Sequence, residues 1–299
     1  MTTPILSPAE YAWQRQSVWS QTANQLKAAS QRRWRLRMSL TVAAAALALA
    51  GSQLKPVSGL ASVILGAVAA ASLAGAGLIR SQQDAEQTRR WTQARSVSEA
   101  IKADVYTFLA RSGDGQPEDR EAELAAKVRR LETAAGKLLS YTQGVKPKTR
   151  DLPPVSDVDT YLDERVRKSQ LEGYYDPKSG QMRTRLRWAK TAEITLTVMA
   201  ATLAAVAAVS ANAAAWAAVV TTAIGAVTSY AASERYEFLW IEYTRTADEL
   251  RYLLDRHTAA DERPLSGMDL VNECEQVISV QNEAWMAKWR EKNSGQEKK

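Results

Sequence analysis

The chain has 299 residues, with 39 Lys and Arg against 33 Asp and Glu, a net charge of +6, one cysteine (Cys274) and one histidine (His257). A single cysteine excludes an intramolecular disulfide and a cysteine metal cluster, and a single histidine leaves His-rich metal sites and Ser-His-Asp chemistry dependent on one residue. The arginines cluster beside two apolar blocks, the distribution a membrane surface imposes rather than nucleic acid, so no nucleic-acid partner is expected.

Ser7-Pro8-Ala9-Glu10 opens a first helix: Ser7 caps, Pro8 suits the first turn, and Glu10 completes a capping box. The helix passes Tyr11, Trp13, Val18, Trp19 and Leu26 into the basic run Arg32-Arg33-Trp34-Arg35-Leu36-Arg37. Met38–Leu54 reads as a membrane span and Val57–Ile79 as a second, closed by Arg80; Lys55-Pro56 marks the turn between them, although Ser58-Gly59 could also hold it. Five Leu and Val in the first span contribute only about −2 kcal/mol to insertion. The absence of charge decides the reading, because one central Arg or Asp costs about 2.5–3.5 kcal/mol. Ala48-Leu49-Ala50 has the form of a signal-peptidase site, but the region before it is too long and too charged for a signal's n-region.

Beyond Arg80, Trp91, Val97, Ile101, Val105 and Phe108 suit one packed helical face. Ser112–Pro117 breaks that helix, and another is predicted over Glu118–Tyr141. Gly144–Asp157, with Pro147, Pro153 and Pro154, reads as the linker (144–156) between domains 1–143 and 157–292. Ser156 or Asp157 caps a helix over Asp159–Tyr174, and Asp176–Gly180 reads as a turn. Arg183, Arg185, Arg187 and Lys190 then lead into the second apolar block. Ile194–Ser233 is forty residues without Asp, Glu, Lys, Arg or His. As one helix it would be about 60 Å long, twice the ~30 Å of a bilayer core. It is predicted to fold back at Ser210–Ala213 into spans over 191–211 and 213–233. Tyr236, Leu239, Trp240, Tyr243, Leu250 and Leu254 continue as a helix until Pro264. Ser266–Asp269 is a capping box for a last helix to about Arg290, and 293–299 reads as a disordered tail.

A constant shift of 150 residues superimposes Arg33, Arg35 and Arg37 on Arg183, Arg185 and Arg187, Tyr11 on Tyr161, Arg15 on Arg165, and Gly75 on Gly225. Each half reads as helix, basic collar, apolar hairpin, amphipathic helix and short helix. The turns do not align, since Pro56 falls on Val206, ahead of the second predicted turn. The predicted fold class is an all-α membrane protein: two transmembrane helical hairpins with cytoplasmic helical extensions, as a tandem repeat.

Tyr161-Leu162-Asp163-Glu164-Arg165-Val166, then Tyr174-Tyr175-Asp176 and the Arg183–Lys190 collar, resembles the opening of the SLATT family, two-transmembrane effector domains associated with nucleotide-signalling and SLOG-type sensor systems in bacteria. The first half, from Tyr11 and Trp19 through Trp34, resembles a sister version of that domain. The resemblance implies a pore-forming or membrane-disrupting effector in conflict systems such as phage defence, and it carries no catalytic residue.

Arg33, Arg35, Arg37 and Arg80 flank the first hairpin, and Arg183, Arg185, Arg187 and Lys190 the second, leaving only Lys55 for the far side. This asymmetry predicts a multi-pass protein of the bacterial inner membrane with both termini and every soluble helix cytoplasmic. Ala67, Ala71 and Gly75, and Ala217, Thr221 and Gly225, form small-residue ridges that permit close helix approach in lipid, though Ala-rich spans also produce such spacings by chance. Glu193 is the one acid near a span, placed to pair with Arg187 or Lys190 or to act in gating. Asn212 reads as a turn residue. No Gly-rich phosphate loop, His-Glu-x-x-His or nucleophile elbow is present, so neither an enzyme nor a cofactor is expected. Two functions remain: a homo-oligomeric effector whose spans form a pore, or a non-conducting scaffold that recruits a cytoplasmic partner. The lipid bilayer, further copies of the chain and a separate cytoplasmic sensor are the expected partners.

Overall fold

The computed structural model describes residues 6–81, 84–111, 116–207, 209–258 and 267–279. The capping residue Ser266 and the tail 293–299 lie outside them. The described residues form helices joined by turns and one extended segment, with no strand among them. In chain order these are α1 (Pro8–Leu54), α2 (Gly59–Ser81), α3 (Asp84–Ala110), α4 (Pro117–Ala134) and the short α5 (Leu139–Thr142). Then come α6 (Val158–Tyr161), running into a π-helix (Leu162–Tyr175), α7 (Asp176–Val206), α8 (Ala211–Glu234), α9 (Tyr236–Thr258) and α10 (267–279).

The chain divides into two compact units. One gathers Met1–Ala28, Ala85–Ser179 and Ile241–Lys299; the other gathers Ala29–Asp84 and Gly180–Trp240. The division therefore cuts across both halves of the sequence, instead of separating 1–143 from 157–292.

The first unit has a water-type core. The capping box forms as predicted: Ser7 N–H donates to Glu10 Oε2 at 2.8 Å, and Glu10 N–H to Ser7 Oγ at 3.2 Å. Trp19 of α1, Ile101 and Val105 of α3, Val128 of α4, Leu250 of α9 and Val271 of α10 are all buried. Arg15 pairs with Glu132 of α4, which also accepts from Trp19 Nε1 at 3.0 Å. The Pro-rich segment 144–157 is not a free linker. It cannot satisfy its backbone as a helix, so α1 does so instead. Gln21 donates to the Lys146 carbonyl at 2.8 Å, Lys148 N–H to Ser17 Oγ at 2.9 Å, and Trp13 Nε1 to the Asp151 carbonyl at 2.9 Å. Asp157, rather than Ser156, caps α6, with Thr160 completing the box.

The second unit holds both hairpins. The first turn lies where Lys55-Pro56 predicts: the amides of Val57 and Ser58 bond to the Leu54 carbonyl at 3.0 and 2.8 Å, and Ser58 Oγ accepts from Ala61 N–H. The second turn is earlier than predicted. α7 ends at Val206 and α8 begins at Ala211, so Ser210–Ala213 is not the turn, and the spans 191–211 and 213–233 are corrected accordingly. The reason is local. The Ala207 amide closes α7 on the Leu203 and Ala204 carbonyls, and Ser210, in extended conformation, starts α8. Asn212 therefore sits in the first turn of α8. Val206, onto which the 150-residue shift carries Pro56, is the last residue of α7. The two hairpins meet through Trp34 and Tyr230, with ring centroids 4.7 Å apart, and through Gln31, which donates to the Glu234 carboxylate at 3.4 Å. α8 and α9 do not form one helix, because Arg235 takes a left-handed conformation (φ 52°) between them.

Packing of α2 on α1 uses a seam of Ser62, Leu65, Ala69, Ser72, Ala76 and Ile79, all buried or half-buried. These recur at alternating steps of three and four, as in a coiled coil. The close approach lies at Gly51, where an added Cβ would stand 3.2 Å from both the Leu65 Cβ and the Ser62 carbonyl. Gly77 faces open space. Gly51→Leu should therefore destabilise the detergent-solubilised protein by about 1–3 kcal/mol through overpacking. Gly77→Leu should leave the thermal midpoint unchanged. Equal midpoints for the two variants would contradict this packing.

Candidate functional site

Two features of the fold carry functional chemistry: the lipid-type surface of the hairpins and a buried polar network in the first unit. Three helical runs among the described residues are long and apolar enough to cross a membrane: Gly59–Ile79, Val158–Val206 and Ala213–Thr258. Of their most apolar stretches, only 11%, 0% and 6% is buried inside the protein. Packing within the chain thus leaves these surfaces to another medium. The span predicted at 38–54 does not join them. It offers 17 residues between Arg37 and Lys55, interrupted by Ser39, Thr41, Ser52 and Gln53. Several hydroxyls on the spans are satisfied within their own helices, as a bilayer requires. The hydroxyls of Thr197, Thr202 and Thr221 donate to the carbonyls of Glu193, Val198 and Ala217 at 2.7–2.9 Å.

The predicted basic collar falls into two groups. Arg183 lies over the Trp240 ring at 5.8 Å and Arg185 over Tyr236 at 5.9 Å, which fixes them to the start of α9. Arg33, Arg35, Arg187 and Lys190 are exposed, Arg37 is half-buried, and Arg80 belongs to the last turn of α2. Glu193 is exposed and makes no ion pair with Arg187 or Lys190 among the described residues. Most positions of the small-residue ridges point away from the seam within the hairpin, but Gly75 faces α1. Ala67, Ala71, Thr221 and Gly225 are exposed and Ala217 is half-buried. Gly75 meets Leu40 at an ordinary 3.6 Å, and Gly225 meets nothing.

The polar network depends on the π-helix, whose 14 residues are unusual, since most π segments are single turns. Apart from Leu162, its buried residues, with Tyr161 just before it, fall in two rows at five-residue steps: Tyr161, Val166 and Leu171, and Arg165, Gln170 and Tyr175. In an α-helix five residues make about 1.4 turns, so neither row would share a face. The i→i+5 bonding of the π-helix aligns both. Arg165, fully buried, grips Glu275 of α10 through Nε and Nη2 at 2.8 and 3.0 Å, and Tyr161 O–H donates to the same carboxylate at 3.0 Å. The guanidinium also lies over the Tyr106 ring of α3 at 4.6 Å. One buried cation thus joins α3, the π-helix and α10.

Residues 161–285 match the family described as SMODS and SLOG-associating 2TM effector domain 1. The chain contains a SLATT domain. Residues 17–122 match a second family, described only as a protein of unknown function (DUF4231). No curated protein and no solved structure matches the chain.

The SLATT domain opens at Tyr161, the first member of the buried network, and includes the whole second hairpin. Sequence reasoning singled out its basic collar and missed the network. The five-residue recurrence of Tyr161, Val166 and Leu171, and of Arg165, Gln170 and Tyr175, was the available signal. Within the SLATT domain, burial lowers the Arg165 pKa, but the charge and hydrogen bonds of Glu275 outweigh burial and raise it above its ordinary value. Burial pushes the Tyr161 hydroxyl well up and the Cys274 thiol up to about 12, so Cys274 is an inert core residue. Arg165→Met should cost about 3–5 kcal/mol, because it leaves the Glu275 carboxylate buried without its counter-charge. Replacing both, as Arg165→Met with Glu275→Leu, should recover much of that loss. Denaturant midpoints of the three proteins in detergent check this; a double variant no more stable than the single one would mean that the pair is not the source of the loss.

Proposed function

We propose that the protein is a bacterial membrane effector that inserts both hairpins into the cytoplasmic membrane, oligomerises and permeabilises the bilayer in a conflict response such as phage defence. The observation that carries this reading is the conjunction of the SLATT match with apolar helices whose surfaces the chain does not bury. In this reading there are four spans, with 38–54 as the short first one. The exposed arginines keep both termini and the first unit in the cytoplasm. Lys55 and the 207–210 turn lie on the outer side. The ridges at Ala67, Ala71 and Gly75 and at Ala217, Thr221 and Gly225 supply contacts between copies. Glu193, unpaired and exposed at the entry to its span, is the residue for gating. The chain acts without catalysis or cofactor, and a separate cytoplasmic sensor triggers it.

The similar placement of the two turns supports a tandem origin of the halves, as does the pairing of Arg15 and Arg165 each with a glutamate of a later helix. A second reading, a non-conducting scaffold, draws support from the first unit, which devotes a large aromatic and polar core to structure in water.

The test is reconstitution of the purified chain into liposomes loaded with a self-quenched dye, with mass measurement in nanodiscs. Dye release by an oligomer is expected. A stable oligomer that releases nothing under any trigger favours the scaffold, and a strict monomer that leaks contradicts assembly. Topology is checked by labelling single cysteines from outside intact cells. Cysteines at Lys55 and Val209 should react and one at Lys137 should not. Buried Cys274 gives no competing signal.

A further inference from the structure

The first unit contains a cavity of about 140 Å³ between α3, the π-helix and α10. Arg95, Glu99 and Lys102 of α3 line one side, and Ser169, Gln170 and Tyr174 of the π-helix the other. Its size is close to that of engineered cavities that hold one benzene-sized molecule, about 150 Å³. Its lining has a different character. Apart from Ile278 of α10 and Gly173, every lining residue carries a polar or charged group, so an apolar occupant would leave donors unpaired.

The charges around the cavity do not balance. Arg95 is committed to Glu99, with its Nη2 2.7 Å from Oε1. Arg165 and Glu275, close enough for their charges to be felt here, are committed to each other. Lys102 makes no ion pair among the described residues. Its ammonium is therefore the uncompensated charge, on a wall that already holds a second cation. A divalent cation is excluded by the same balance. The residues opposite can supply hydroxyl and amide hydrogen bonds to a negatively charged oxygen.

We propose that this cavity binds an oxyanion of the phosphate class, which pairs with Lys102 and is hydrogen-bonded by Ser169, Gln170 and Tyr174. The bound anion supplies the charge that the protein leaves out. Burial, with the Arg165 charge adding to it, lowers the Lys102 pKa to about 8, the direction expected of an ammonium without a counter-ion. At Glu99, burial pushes the carboxyl up, but Arg95, Lys102 and Arg165 outweigh it and hold the group below its ordinary value. Glu99 thus stays ionised beside Arg95 and leaves Lys102 to the ligand. Pairing joins α3 to the π-helix across the cavity and stabilises the first unit by mass action. Gly173 lines the same cavity and leaves the Lys168 carbonyl unobstructed, since a Cβ there would stand 2.8 Å from it.

The phosphate group has two possible sources, a free ion or the headgroup of an anionic lipid. The experiment follows the thermal midpoint of the full chain in nanodiscs of phosphatidylcholine, titrated with inorganic phosphate against chloride at constant ionic strength. A second arm uses nanodiscs containing phosphatidic acid, with no phosphate added. Lys102→Met removes the unpaired charge and keeps the stem's packing, so it should fold. Lys127→Met, on α4, removes a surface cation away from the cavity. The midpoint should rise to saturation with phosphate in the wild type and in Lys127→Met. In Lys102→Met half-saturation should weaken about tenfold or more, as loss of one charge-assisted contact implies. A Lys102-dependent rise only with phosphatidic acid assigns the site to a lipid headgroup. No response in either arm, or an equal response in Lys102→Met, overturns the proposal.

Discussion

The hairpins depend on one constraint: their apolar surface has no cover in the chain. On α2, Leu60 is 73% exposed, Val63 69% and Leu73 59%; on α7, Ile194 is 65% and Val198 60% exposed. In water each such side chain forgoes about 1.5–3 kcal/mol of burial. A handful of them rivals the 5–15 kcal/mol that holds a typical domain together. Lipid removes this cost without any further contact between helices. It also explains why the span hydroxyls turn back to their own helices: the bilayer core offers them no other acceptor.

The first unit solves the opposite problem. Its core combines large aromatics with polar groups that must find partners, and several of these reach a different helix. Gln16 of α1 donates to Ser98 of α3 at 3.0 Å, Trp19 reaches Glu132, and Arg165 reaches Glu275 while lying over Tyr106. Such contacts are directional, so they fix the register of the helices more sharply than apolar packing does. The π-helix belongs to this logic, because only its wider repeat brings Arg165, Gln170 and Tyr175 onto one row. The helices α1, α7 and α9 are among those that contribute residues to both units.

The hairpins were legible in the sequence because the absence of charge over some twenty residues has few other meanings. The first turn was legible because Lys55-Pro56 interrupts the run. The second was misplaced by about three residues: Ala204–Ala215 contains no Gly or Pro, and Ser210 marks the start of α8 as readily as it suggests the start of a turn. Helix contacts were harder to read. The ridges through Gly75 and Gly225 have the expected four-residue spacing, but the close approach occurs at Gly51, whose partners Ser62 and Leu65 cannot be foreseen from spacing on one helix. The Pro-rich segment 144–157 had the composition of a linker, yet side chains of α1 hold it. The π-helix was missed because capping residues mark a helix over Asp159–Tyr174 without distinguishing its repeat.

The central claim is that the exposed faces of the hairpins are solvated by lipid. Its most direct test is spin labelling of cysteines introduced at Leu73 and Val198, with collision rates measured in bilayers against oxygen, which partitions into lipid, and against a water-soluble nickel chelate. Cys274, buried, does not take up the label. The account predicts high oxygen and low nickel accessibility at both positions. Nickel accessibility like that of a label at Lys137 would place these faces in water and contradict it.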